Sequence, residues 1–267
     1  MTSSPRLNWH AHDGEGPVCL MIHGALGSRS YWNENLPALA EVCRPVSIEL
    51  WGHGRSPSPD DPDAYTPEGY IEQFDQICET LDADRVYLMG QSMGAALMLH
   101  YALARPERAL ALVLTNSSSA FANPTTWEHR HATMVMDRAR EVRAEGVESL
   151  RDSWINPSRS RRIPETTRRA MAQEFGEHQT EGIARSFELT NRTLPLGDRL
   201  KSVTPPTMLT VGVLEERFLP LVDKARLIPG IEIVDIDASH AVNAQNPSQW
   251  NGAVVEFLRR HSPTGNP

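Results

Sequence analysis

A chain of 267 residues with a formal net charge of −8 and a pI near 5.7 is long enough to bury a large core as one α/β unit. That charge argues against nucleic acid or an anionic membrane surface as the main partner, since both require a basic face, and a small, neutral substrate is the partner it favours. Three cysteines, Cys19, Cys43 and Cys78, sit in apolar stretches at no metal-like spacing; an odd number completes no disulfide framework, and they read as buried free thiols in a reducing cytoplasm.

Residues 1–10 contain no apolar h-region, and no run of about 18 apolar residues follows. The expectation is a soluble, unsecreted, cytoplasmic protein, monomeric or a small homo-oligomer, with no membrane partner. In chain order, short apolar runs predict strands at 7–12, 18–22, 44–50, 85–89, 109–114, 207–211 and 231–236. Tyr70, Phe74, Ile77 and Leu81 recur at helical spacing, 93–104 reads as a helix stopped by Pro106, and Trp250, Val254, Val255 and Leu258 mark a last helix. Strands alternating with amphipathic helices predict an α/β fold, a mostly parallel twisted sheet of about eight strands with helices on both faces.

The alternation breaks after Leu114. Residues 119–200 hold no convincing strand and carry 13 of the 26 basic residues, all arginine, with 12 of the 34 acidic ones. They predict a nearly neutral helical insertion on an acidic core made of 1–118 and 201–267. Arg159, Arg161 and Arg162 read as a solvated loop, with a substrate carboxylate as the sharper alternative. Trp51, Trp127 and Trp154 could line a pocket but read as packing residues, and 262–267 reads as a frayed tail.

The chemistry centres on Gly90-Gln91-Ser92-Met93-Gly94, which stands between the strand at 85–89 and the helix at 93–104. So tight a turn needs small neighbours, and it lifts Ser92 out as a nucleophile. The oxyanion formed on attack needs donors: the N–H of Met93 at the helix start, and that of Ala25 in the loop His23-Gly24-Ala25-Leu26-Gly27-Ser28. His240, after the last strand and before the last helix, opens at the carboxyl end of the sheet and is the expected base. His23 and His53 read as structural. An acid should follow the strand at 207–211, where no aspartate is available in Gly212-Val213-Leu214-Glu215-Glu216-Arg217-Phe218, so Glu215 or Glu216 must orient the imidazole.

On these residues the chain resembles the α/β-hydrolase fold family over nearly its full length. The matching motifs are His23-Gly24, Gly52-His53-Gly54-Arg55-Ser56, the Ser92 pentapeptide, and Ser239-His240 followed by Asn246-Pro247. The resemblance implies that the acid lies three residues after the glycine closing its strand, which is Glu215 rather than Glu216, and that 119–200 forms a lid. Glutamate replaces the usual aspartate, Ala95 replaces a frequent glycine, and Asn243 stands where many relatives carry a second histidine.

Other resemblances narrow the reaction. Carbon-carbon bond hydrolases of this fold usually carry tryptophan where Ala241 stands, and the menaquinone-pathway synthase carries an arginine where Ala96 stands. A serine nucleophile argues against dehalogenases and epoxide hydrolases. Trp127-Glu128-His129-Arg130 and the helix at 146–150 are similar to the enol-lactonase branch. The expected activity is carboxylic-ester hydrolysis through an acyl-enzyme on Ser92, with no metal or organic cofactor. Lactone opening or carbon-carbon cleavage is the alternative, and a triad-bearing ligand receptor the remote one.

Overall fold

The computed structural model describes residues 5–263; the expected tail beyond 263 lies outside the described residues. Seven strands form one sheet: β1 Trp9–Ala11, β2 Val18–Ile22, β3 Arg44–Ile48, β4 Val86–Gln91, β5 Ala109–Thr115, β6 Thr207–Gly212 and β7 Glu232–Ile236. Their spatial order is β1-β3-β2-β4-β5-β6-β7, with β1 antiparallel to β3 and every other pairing parallel. Each coincides with an apolar run marked in the sequence, one strand fewer than the approximate eight expected. The largest difference is at β1, where only Trp9, His10 and Ala11 find partners on β3.

A parallel sheet covered on both faces has no solvent side, so its strands read as continuous apolar runs. Side chains still alternate. From β4, Val86 and Leu88 enter a core with Phe74 and Tyr101, while Tyr87 and Met89 enter one on the opposite face with Trp32, Trp250 and Phe257. The first face is covered by α1 (Pro67–Thr80) and α2 (Met93–Ala104). Thr66 caps α1 by accepting the Gly69 N–H at 3.2 Å, and Pro67 presets its first turn.

Between β5 and β6 every described element is helical. The main ones are α3 (Met136–Glu145), α4 (Glu165–Phe175) and α5 (Thr180–Arg185). They enclose a third core in which Val142, Leu150, Phe175 and Ile183 pack around Leu26 from the loop after β2. Two π-helical turns, His131–Val135 and Ser186–Thr190, interrupt this layer. The buried His131 Nε2–H donates to the carbonyls of Phe187 and Glu188, at 3.2 and 2.8 Å, so one widened turn holds the other. The last helix, α6 (Pro247–Arg260), returns to the sheet through Trp250, Val254 and Leu258. Among the described residues no helix is long and apolar enough to cross a membrane.

Candidate active site

Ser92 joins β4 to α2 at φ 52°, ψ −115°, a backbone region that non-glycine residues rarely occupy. The turn is held from outside: the Ser92 N–H donates to Thr115 O at 2.9 Å, and Ser117 Oγ donates to Ser92 O at 2.7 Å. Gly94 lies against the end of β2, where a Cβ would stand 2.6 Å from His23 O. Any larger residue would push α2 off the sheet.

The loop after β2 meets this turn from the other side. A side chain on Gly24 would stand 3.0 Å from Ser92 Cβ, so the loop backbone reaches the serine only because glycine stands there. Ala25 follows, and its N–H donates to no acceptor among the described residues. Met93 is the first residue of α2, where a helix leaves its N–H groups unsatisfied.

Buried polar groups brace that loop. His23 Nδ1–H donates to Gly24 O at 2.7 Å, while its Nε2 accepts the Leu50 N–H at 3.2 Å. His178, from the helical layer, donates Nε2–H to Leu26 O at 3.2 Å and accepts the Gly54 N–H on Nδ1 at 2.8 Å. Burial holds both imidazoles down at about 4 and pushes His53, whose ring lies tilted against His23 and edge-on to His178, well below its usual range. Beneath them Glu49 is held ionised: burial opposes the charge, but donation from Ser28 Oγ, the Arg55 N–H and Asn8 Nδ2 lowers its pKa. Sequence reasoning missed this anchor, a lone carboxylate one residue beyond β3.

Glu215 and His240 come from the ends of β6 and β7. The His240 Nδ1–H donates to Glu215 Oε2 at 2.8 Å; Glu215 is buried, whereas the His240 side chain is 43% exposed. Burial pushes the Glu215 carboxyl up, but hydrogen bonds from His240 and Asn116 and the charge of Arg217 bring it below its usual range. Glu216 is exposed and does not line the cavity.

Two further residues escaped sequence reasoning. Asn116 Nδ2 donates to Glu215 Oε2 at 2.7 Å and its Oδ1 accepts the Gly212 N–H at 2.9 Å. Gln91 Nε2 donates to His240 O at 3.1 Å, tying the histidine loop to the serine turn. The available signal was a polar residue at the end of β4 and another one residue beyond β5, as with Glu49 beyond β3.

Ala25, Ser92, Met93, Glu215 and His240 all line one cavity of about 890 Å³ at the carboxyl ends of the parallel strands. Its other wall is helical, with Trp127 and Trp154 among the lining residues. Trp51 lies elsewhere, buried, with its Nε1–H on Ala64 O at 2.9 Å. Of the three arginines singled out in sequence, Arg159 and Arg162 reach the cavity and Arg161 does not.

The family model for the alpha/beta hydrolase fold matches residues 17–247. The chain belongs to that family. Among curated relatives of this α/β hydrolase, a Rhizobium rhizogenes protein with the provisional name carbamate hydrolase RutD is 28% identical over 96% of this chain and 99% of its own. A Bacillus subtilis protein provisionally named 2-succinyl-6-hydroxy-2,4-cyclohexadiene-1-carboxylate synthase is 28% identical over 91% and 90%. Among solved structures, the enol-lactonase of Burkholderia xenovorans superposes with a TM-score of 0.80 at 24% identity, covering 95% of this chain and 96% of its own. These names span different reactions on one α/β-hydrolase scaffold, so reaction and substrate must be argued from the site.

Proposed function

We propose that this α/β hydrolase cleaves small carboxylic esters through an acyl-enzyme on Ser92, with His240 as base and Glu215 as its orienting acid. The observation that carries the reading is the 2.8 Å contact from His240 Nδ1 to the buried Glu215, on the same cavity as a serine held at φ 52°. With Nδ1–H committed to Glu215, the imidazole keeps Nε2 unprotonated. Nε2 takes the Ser92 Oγ proton as the oxygen attacks the ester carbonyl, and the N–H groups of Ala25 and Met93 receive the oxyanion, each worth roughly 3 to 4 kcal/mol. His240 then gives its proton to the departing alkoxide. A water, deprotonated by the same nitrogen, attacks the acyl carbon, and Ser92 Oγ leaves with that proton returned from His240, freeing the acid. These side chains cover every proton transfer, so the reading requires no metal or organic cofactor.

In this reading residues 119–200 are a lid that sets which esters reach Ser92. Ser92→Ala should lower turnover of p-nitrophenyl butyrate by about 10⁴-fold or more and abolish covalent labelling by a fluorophosphonate, read by mass spectrometry. Undiminished turnover in that variant sinks the proposal.

Lactone opening is the second reading, favoured by Trp127 and Arg130 standing together on the cavity wall. It uses the same steps, with the alkoxide remaining tethered to the acyl group. The synthase reaction fits less well, because Ala96 is fully buried in α2 where that relative type would present an arginine.

A further inference from the structure

The cavity is cationic on an acidic protein. Arg130, Arg138, Arg159, Arg162, Arg217 and Lys224 line it, and among the described residues the single lining carboxylate is Glu215, already bound to His240. Three of these cations are neutralised by the protein itself: Arg138 by Glu141 at 3.0 Å, Arg159 by Asp152, and Arg162 by Asp237 at 3.3 Å. Arg130, Arg217 and Lys224 have no carboxylate within 4.0 Å among the described residues. On a chain with 34 acidic residues against 26 basic ones, that is an unusual place to leave charge unpaired.

Two of the unpaired groups, both on exposed side chains, lie over aromatic rings. The Arg217 guanidinium lies 4.5 Å from the ring centroid of Trp154, and that of Arg130 lies 5.3 Å from Trp127. A guanidinium drawn to a ring by its charge still carries N–H donors that match a carboxylate fork. Arg217 is also anchored by its neighbour Phe218, which is buried against Phe121, and it lies close enough to Glu215 for its charge to act on that carboxyl.

We propose that the substrate carries a carboxylate besides its scissile ester or lactone, and that Arg217, with Arg130, is the subsite that holds it. The neutral substrate favoured by net charge gives way here to a half-ester or an acid-bearing lactone. This deepens the acyl-enzyme reading and rests on it for the reaction, though the binding step does not.

The test pairs monomethyl adipate with dimethyl adipate, and adipate with adipamide. The wild-type protein should show kcat/KM at least tenfold higher for the half-acid, carried mainly by KM. That preference ratio should collapse toward one in Arg217→Ala and recover in part in Arg217→Lys. Equal turnover of the two esters by the wild type, or an unchanged ratio in Arg217→Ala, overturns the subsite. Should neither ester be cleaved, the reaction reading fails, and calorimetry decides the subsite alone. Adipate binding that is lost in Arg217→Ala supports it, and adipate binding no better than adipamide overturns it.

Discussion

At Ser92 the backbone stores strain of order 1–3 kcal/mol, and the contacts from Thr115 and Ser117 hold it there. Glu215 and Glu216 are adjacent and chemically identical, yet only Glu215 is buried and in contact with His240. Glu215→Gln should therefore lower kcat on p-nitrophenyl butyrate by about 10²–10⁴-fold with little change in fold, because the amide cannot support the imidazolium. Glu216→Gln should stay within about twofold, and a comparable loss in both variants would contradict the assignment. Asn116 binds Glu215 with one end and the Gly212 N–H with the other. Asn116→Ala leaves the Gly212 N–H unpaired and takes one of two donors from Glu215, which keeps His240, and should cost about 1–3 kcal/mol of stability in urea unfolding as well as lowering kcat. Such contacts were invisible in the sequence because they join the ends of β5 and β6, about a hundred residues apart, and only the sheet order makes them neighbours.

The elements themselves were more legible than their connections. β2, β4 and β5 are runs of apolar residues because both faces of the sheet are covered, and α2 was marked at both ends by Ser92 and Pro106. Boundaries were less sharp where pairing rather than hydropathy ends the strand, as at β1. The helical layer gave least: α3 is strongly polar, and its two π turns have no sequence signature. Leu26 belongs to that layer although it lies in the loop after β2. Leu26→Ala should cost about 2–5 kcal/mol by the usual loss on emptying a packed leucine site. It should also reduce turnover, since the Ala25 N–H stands next to it. Calorimetry and esterase kinetics on one preparation test the link, and loss of stability with full activity would break it.

For the whole molecule, acid is the predicted weak point. His23, His100 and His178 are held down at about 4 by burial, whereas an unfolded imidazole titrates near 6.5. Between those values the unfolded chain binds protons that the fold refuses. Stability is therefore complete above about pH 6.5 and lost as pH falls toward 4, on the order of 2 kcal/mol per histidine at pH 5. The Tm should drop by roughly 10 °C or more between pH 7 and pH 5, and His178→Gln should flatten that dependence; a Tm level across this range would refute the account.

The reach of Leu26 and His178 across the boundary between sheet and helices also limits how the protein can be recombined. Cutting at residues 118 and 201 and grafting a relative's helices would leave the Leu26 side chain without its socket and the Leu26 carbonyl without its donor. A working chimera must carry the loop after β2 along with the helices, so these two stretches of chain, distant in sequence, are inherited as one unit.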